Sequence, residues 1–346
     1  MSDSIANTFY VNQRKYIFSF VSLLVLLFIA AIIALKFGAI TLSWQGLIQN
    51  SGIDRQLLME LRLPRVMTTM LVGASLALSG VIMQGLFRNP MADPALIGMS
   101  SGASLFTLAF ILLTSHLSVL PSWANNAGIT ISAFSGSFVI AVLTYSLSIY
   151  RGNSNIAILL LAGIAINALC GAGIGLLTYL ASDDVLRSIT FWSMGSFANA
   201  SYSSAIFILT TIFLCSILLR KTPLFLDSLL IGEGYARILG FNLATEKHKA
   251  ILAIALLVGT ATAFVGPIGF IGLIVPHIMR LIVGSHSHRN LLMFSAIYGA
   301  LLLTIADFLA RIIAKPAEVP IGIITALVGA PYFMFLLFRK RYKVRV

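Results

Sequence analysis

Asp307 and Arg311 stand four residues apart in an otherwise apolar stretch, a spacing that puts a carboxylate and a guanidinium on one helical face where they can pair. Two further arginines, Arg62 and Arg65, lie at the mouth of another apolar run, close to Glu60. Such groups can anchor to lipid phosphate, pair locally with Glu60 and Asp307, or receive an acidic partner protein, and position alone does not choose among the three. Other chemistry is sparse. The chain has no GxxxxGK[S/T] phosphate loop, no HExxH and no intramembrane aspartate pair. His116, His248, His277, His286 and His288 are scattered; His277, beside Pro276, reads as a packed imidazole or a helix-end feature rather than a metal ligand, and His286 and His288 as solvated turn residues. Cys170 and Cys215 fall inside apolar runs and read as packed thiols, with neither a disulfide nor a metal site implied. No paired nucleophile and base suggests an enzyme.

One polar island interrupts the apolar chain, residues 221–249. Ile231, Tyr235, Ile238 and Leu239 fall at helical spacing on one face, broken by Gly232, Glu233, Gly234 and Arg237, which predicts a short, kinked surface helix. Gly240 closes it at the position a helix C-terminus favours, with Asn242 and Thr245 as turn formers. A solvated loop would leave that stripe open to water, so the island is expected to be offered to a soluble partner.

These residues have to be positioned by a membrane bundle. The chain has 346 residues, 59% hydrophobic and 10% charged, with mean hydropathy +0.98. A soluble domain carries about a quarter charged residues. Spans are placed at 17–34, 66–85, 96–114, 127–149, 156–179, 205–219, 250–264, 268–283, 291–309 and 321–337, the least secure break being at Gly266-Pro267. The runs are continuous rather than alternating, which argues against a barrel. The first is long enough to span and lacks a clear cleavage site, so a signal peptide is not expected. The net charge of +12 lies in loops, as topology signals rather than a nucleic-acid surface. With a cytoplasmic N-terminus, sixteen of the 23 Lys and Arg fall on the inner side and seven on the outer, placing both termini and the island in the cytoplasm. Leu71-Val72-Gly73 followed by Gly80 is echoed by Leu257-Val258-Gly259 followed by Gly266, as in a duplicated, inverted architecture. In the fifth span Gly171, Gly173 and Gly175 accompany Asn167; they serve tight packing, or a pliable helix lining a pathway. An ion-driven carrier needs ionisable groups near the midplane, and no convincing set is present, so energy is expected from an ATPase docked on the island.

The motifs RLPR (62–65), LVGA (71–74), SGVIMQG (79–85) and NPMADP (89–94) together resemble the FecCD family of ABC-transporter permeases. The second half is similar as well: Gly232-Glu233, Ala236-Arg237 and Leu239-Gly240, then GFIGLIVPHIMR (269–280), Ala306-Asp307 with Arg311, PIGIIT (320–325) and Gly329-Ala330-Pro331. The resemblance implies an all-α, type II importer permease of ten spanning helices, a single transmembrane domain over 1–346 with 221–249 as its cytoplasmic coupling segment. It also implies a homodimer in the bacterial inner membrane, two ATPase subunits holding ATP and magnesium, and a periplasmic substrate-binding protein. No permanently bound cofactor is implied. By the same resemblance Arg62, Arg65 and Arg311 receive acidic residues of the binding protein, and Leu230, Gly232, Glu233, Ala236, Arg237, Leu239 and Gly240 belong to the coupling helices.

The family's pathway runs along the dimer interface on the fifth and tenth helices. Its gate falls here at Gly152-Asn153-Ser154-Asn155, which departs from the Thr/Ser pattern of the cobalamin member. Asn167, Gly171, Tyr179 and Met194 are the other pathway candidates. LFRNPMADP (86–94), SSGA (100–103) and DVLRSITFWSMG (184–195) look closest to the haem branch, which makes haem the first expectation for the substrate, ferric siderophore the second and cobalamin the third. Asp93, in that stretch, also reads as a cap for a helix starting near Pro94.

Overall fold

An apolar run in lipid has one local way to satisfy its backbone, the internal ladder of a helix, and every one of the ten segments placed above takes it. The computed structural model describes residues 2–38, 42, 52–115, 121–150, 153–154, 156–283 and 287–343. Besides a short helical turn, Gly52–Gln56, its α-helices are α1 (Ser2–Lys36), α2 (Leu63–Leu86), α3 (Met99–Ser115), α4 (Ser122–Ser148), α5 (Ile156–Leu180), α6 (Asp183–Ser193), α7 (Tyr202–Leu218), α8 (Thr222–Ile231), α9 (Glu233–Ile238), α10 (Leu243–Val265), α11 (Ile271–Val283), α12 (His288–Ile312) and α13 (Ile321–Lys343). Among the described residues six helices are long and apolar enough to cross a membrane. A seventh crossing forms if α7 and α8, bent by 56° at their junction, act as one. α3, α11 and the 321–335 part of α13 are shorter apolar helices.

α2 is the axis of the bundle, packing against α10, α11, α12 and α7. Its apolar stretch is 72% buried, as is that of α10, whereas α1 buries 11% and faces outward. Close approach is what seats α2. A methyl on Gly73 would overlap the carbonyl of Gly299 in α12, and one on Gly80 would overlap that of Gly272 in α11. In lipid, where apolar burial drives helices together only weakly, such backbone contact supplies the attraction. A π-helical turn, Leu57–Arg62, leads into α2. It sits where Pro64 has no amide to donate to the preceding turn.

The echoed glycines do different work. Gly73 and Gly80 are interior contacts of α2, whereas Gly266 ends α10 at φ +77° and Gly259 faces Ser137. Gly266-Pro267 does break the chain, as expected, and α11 starts only at Ile271. The non-helical segments at that break are hydrogen-bonded to one another. Ser196 N–H donates to Val265 O, Ile321 N–H to Gly195 O, and Gly322 N–H to Met194 O. Irregular backbone at membrane depth persists only when protein satisfies it in this way.

Two elements go beyond the sequence reading. The amphipathic α6 connects α5 to this interlaced loop, and the island is more helical than one kinked turn. α8 stops at Gly232 (φ 149°), α9 follows, Gly240 turns at φ 84°, and Asn242 caps α10 by accepting the Thr245 amide. α10 therefore begins inside the island, seven residues before the predicted span.

Gly80→Ala is expected to destabilise the protein by about 1–3 kcal/mol through forced separation of α2 and α11. Gly175→Ala meets open space on α5 and is expected to leave the thermal midpoint unchanged or higher. Thermal unfolding of the detergent-solubilised protein compares the two, and equal midpoints contradict the packing account.

Candidate functional site

The three arginines converge at one end of the bundle, where α1 ends, α2 begins and α12 ends. Arg65 grips Asp307 through Nε (3.1 Å) and Nη2 (2.9 Å), and meets Glu318 with Nη1 and Nη2, each at 2.9 Å. Arg311 Nε reaches the second Asp307 oxygen at 3.1 Å, the pairing its four-residue spacing predicted. Asp307 is 2% exposed, so one carboxylate deep in the bundle is shared by two guanidiniums. Arg62 does not turn to Glu60, which instead accepts a long contact from Gln56 Nε2 at 3.5 Å. It donates through Nη1 to Leu35 O and Lys36 O, both at 2.7 Å, while Arg311 Nη1 donates to Ala34 O at 3.1 Å. Those carbonyls belong to the last turn of α1, which has no internal donors and carries the negative end of the helix dipole. Two guanidiniums thus close a helix that is otherwise lightly packed. Arg311 Nη2 is buried with no hydrogen-bond partner among the described residues. Neither Glu318 nor the α1 carbonyls could be found by spacing, since both are remote in sequence.

At the opposite end lies the island. Ala236 is fully buried, and Phe225 meets Phe241 beneath it at 5.6 Å between ring centroids. Glu233 pairs with Lys247 Nζ at 2.9 Å, tying α9 to α10. Leu230, Ile231, Tyr235, Ile238 and Leu239 all stand exposed, Ile238 at 82%, with Arg237 among them. The predicted stripe exists and faces outward. Gly232, Gly234 and Gly240 have nothing beside them that a side chain would strike; at Gly232 and Gly240 it is the positive φ that demands glycine.

The pathway candidates separate. Asn167 is used structurally: Oδ1 accepts from Ser101 Oγ at 2.6 Å and Nδ2 donates to Ala95 O at 3.2 Å, joining α5 to α3 and to the turn Pro94–Ile97. Gly171 lies on the open face of α5 with Leu161, Ile164, Leu169 and Leu176, while Gly173 packs on Leu105. Tyr179, 85% exposed, continues that face, and Met194 lies on the interlaced loop, its carbonyl occupied by Gly322. Asn153 and Ser154 form the second strand of a two-residue ladder, pairing with Tyr150 and Ile149. Their side chains and the whole of Asn155 lie outside the described residues.

Asp93 caps the Pro94–Ile97 turn as expected, accepting from Ala95 N–H at 2.8 Å. Withdrawal from water raises its carboxyl above the ordinary carboxylate range, against the pull of that amide. His277 meets Tyr332 edge-on at 6.4 Å, a packed ring. His288 is a correction. Expected to be solvated, it is 4% exposed and bound to Asp227 Oδ1, through Nδ1 at 2.6 Å and its backbone amide at 2.8 Å. The partner lies 61 residues away on α8, so local polarity misled. Both cysteines are buried thiols. Among the described residues no three of His, Cys, Asp and Glu gather as a metal group.

Asp307→Asn leaves two buried guanidiniums with half their compensation, an expected loss of about 3–5 kcal/mol in unfolding free energy. Glu318→Gln, at a half-exposed site, is expected to cost about 0–1 kcal/mol. Denaturation of the two variants side by side reads the difference, and a similar small loss for both would remove Asp307 from its central place.

The FecCD transport family matches residues 24–339. The hemin transport system permease protein HmuU of Yersinia pestis is 44% identical over 321 residues, 92% of this chain and 95% of that protein. The vitamin B12 import system permease protein BtuC of Klebsiella pneumoniae is 39% identical over 283 residues, 82% of each chain. A solved inward-facing conformation of a metal-chelate type ABC transporter matches with a TM-score of 0.82 at 34% identity, covering 92% of this chain and 98% of that one. The two named relatives are permeases rather than enzymes, and the family match over residues 24–339 runs through both the arginine end and the island. With a membrane bundle of this fold and a family match over nearly its whole length, the chain belongs to the FecCD transport family.

Proposed function

We propose that this chain is the membrane-spanning permease subunit of an ATP-driven haem importer in the bacterial inner membrane. It works as a homodimer, with two ATPase subunits that hold ATP and magnesium and a periplasmic binding protein that delivers the substrate. The observation that carries this reading is the separation of chemistry from the interior. Among the described residues the buried Arg, Lys, His, Asp and Glu side chains, Arg62, Glu246, Lys247, His288, Asp307 and Arg311, lie within about two turns of a helix end. An apolar bundle with charged rims and an exposed apolar stripe fits a conduit moved from outside, and an ion-driven carrier would need charge at the midplane.

The island end is then cytoplasmic, with both termini, and the exposed Ile231, Tyr235, Ile238 and Leu239 seat in a groove of the ATPase. Buried Ala236 and the Glu233–Lys247 pair transmit its movement to α10. At the periplasmic end Arg62, Arg65 and Arg311 form the docking site. They already have partners, so docking is an exchange: an acidic residue of the binding protein replaces Glu318, the half-exposed partner of Arg65, while Asp307 stays in place. The open face of α5, with Gly171 and Tyr179, meets the second copy and lines the pathway, and Met194 lies at its outer mouth. Asn153, Ser154 and Asn155 belong to the gate. Haem is the substrate favoured by HmuU's 44% identity; cobalamin, carried by BtuC at 39%, and ferric siderophore are the alternatives.

Three outcomes test this. In vesicles holding the complete complex, haem is expected to accumulate with ATP while ferric siderophore and cobalamin do not; accumulation of either in place of haem changes the substrate, and uphill uptake by the lone subunit overturns the whole scheme. Ile238→Asp is expected to abolish ATPase assembly on a pull-down while leaving the thermal midpoint within about 0.5 kcal/mol of stability, as an exposed change should. Glu318→Gln is expected to tighten binding-protein affinity at low salt, with the gain shrinking as salt rises; unchanged or weaker affinity contradicts the exchange.

A further inference from the structure

At the end of the bundle that carries α8 and α9, a cavity of about 280 Å³ opens where α2 and α11 finish, α12 starts and α8 ends. A water molecule's share of liquid volume is about 30 Å³, so the space holds a multi-atom group. Gln84, Arg88, Arg280 and His288 line it, with Leu230, Leu291 and Pro90 as its apolar wall.

Its charge is one-sided. Among the described residues neither Arg88 nor Arg280 has a carboxylate within ion-pair distance. Asp227, which faces His288, is already engaged by that residue's ring and backbone amide. Arg280 is half-buried and held in place: Nη1 donates to Gln84 Oε1 at 2.5 Å, and Gln84 Nε2 is anchored on Leu273 O at 3.1 Å. The amide orients the guanidinium without neutralising it, and a guanidinium has five N–H donors to place. Arg88 sits at φ 49°, left-handed backbone that favours glycine or asparagine, directly after α2. Strain of this kind gathers where a side chain is needed at one spot. Gly85 belongs to the same construction, since a methyl there would press on His288 Nε2 at 2.8 Å.

We propose that this cavity binds a phosphate-bearing anion, with Arg280 and Arg88 as its ligands and Gln84 and His288 as positioning residues. Guanidinium and phosphate match in charge and fork geometry. The source the setting favours is the head group of an acidic phospholipid, because basic pockets between spanning helices take such head groups and the wall here is partly apolar. Leu230 belongs to both the cavity and the exposed stripe, so occupancy would brace α8 against α2 and α12 beside the surface offered to a partner.

The test uses the full-length protein, washed free of lipid in detergent. Native mass spectrometry follows dihexanoyl phosphatidylglycerol, with a diacylglycerol lacking phosphate as control, and phosphorus NMR line broadening follows inorganic phosphate. The phosphatidylglycerol probe is expected to bind, the diacylglycerol not, and Arg88→Gln, an exposed change, to weaken binding about tenfold, as loss of one charge-assisted contact should. Arg280→Gln is expected to do the same where it folds; where it does not, Arg88→Gln decides alone. Binding of inorganic phosphate alone keeps the site and assigns it to the free ion. Failure of both phosphate probes, with or without binding of an acidic peptide in their place, or equal binding by Arg88→Gln would overturn the proposal.

Discussion

Backbone-to-backbone contact along α2 is the constraint on which the molecule depends. Gly73 against Gly299 and Gly80 against Gly272 bring α2 so near to α12 and α11 that no side chain fits between them. Lipid tails are as apolar as leucine, so burying a leucine gains little here, and dispersion between closely fitted backbones takes over. Once these helices are set, both ends of the bundle follow. The start of α2 brings Arg62 and Arg65 to the end of α12, and its finish brings Gln84 and Arg88 to Arg280 and His288.

The two ends solve one problem in different ways. Charge taken out of water has to be compensated. At the Arg62 end, compensation is internal: Asp307 is shared by two guanidiniums, and the α1 carbonyls accept from Arg62 Nη1 and Arg311 Nη1. At the island end, Glu233–Lys247 and Asp227–His288 are paired, while Arg88 and Arg280 are left with cationic excess. The closed end suits exchange of one partner for another, and the open end suits capture of something added.

At the Gly266-Pro267 break the non-helical backbone is satisfied by neighbouring protein. The loop through Met194 and Gly195, the break at Gly266 and the start of α13 satisfy one another's amides. This knot links α6, α10, α11 and α13 at one depth, so movement of any one of them is felt by the others.

Composition and run length determined by themselves that the chain spans the membrane as helices, because a continuous apolar run has no other way to satisfy its backbone; all ten segments were legible. So were the Gly266-Pro267 break, the outward stripe on the island and the Asp307–Arg311 pair, each resting on residues within a turn or two of one another. The order of motifs from Arg62 to Pro331 also pointed to the family. Only the tertiary structure decided which groups meet across the bundle: Arg65 with Glu318, Arg62 with the end of α1, Arg280 with Gln84, and the burial of His288 against Asp227. Local periodicity reports which face of a helix is apolar. The partner of a buried charge depends on which helices the glycines bring together, and that information is spread over the whole chain.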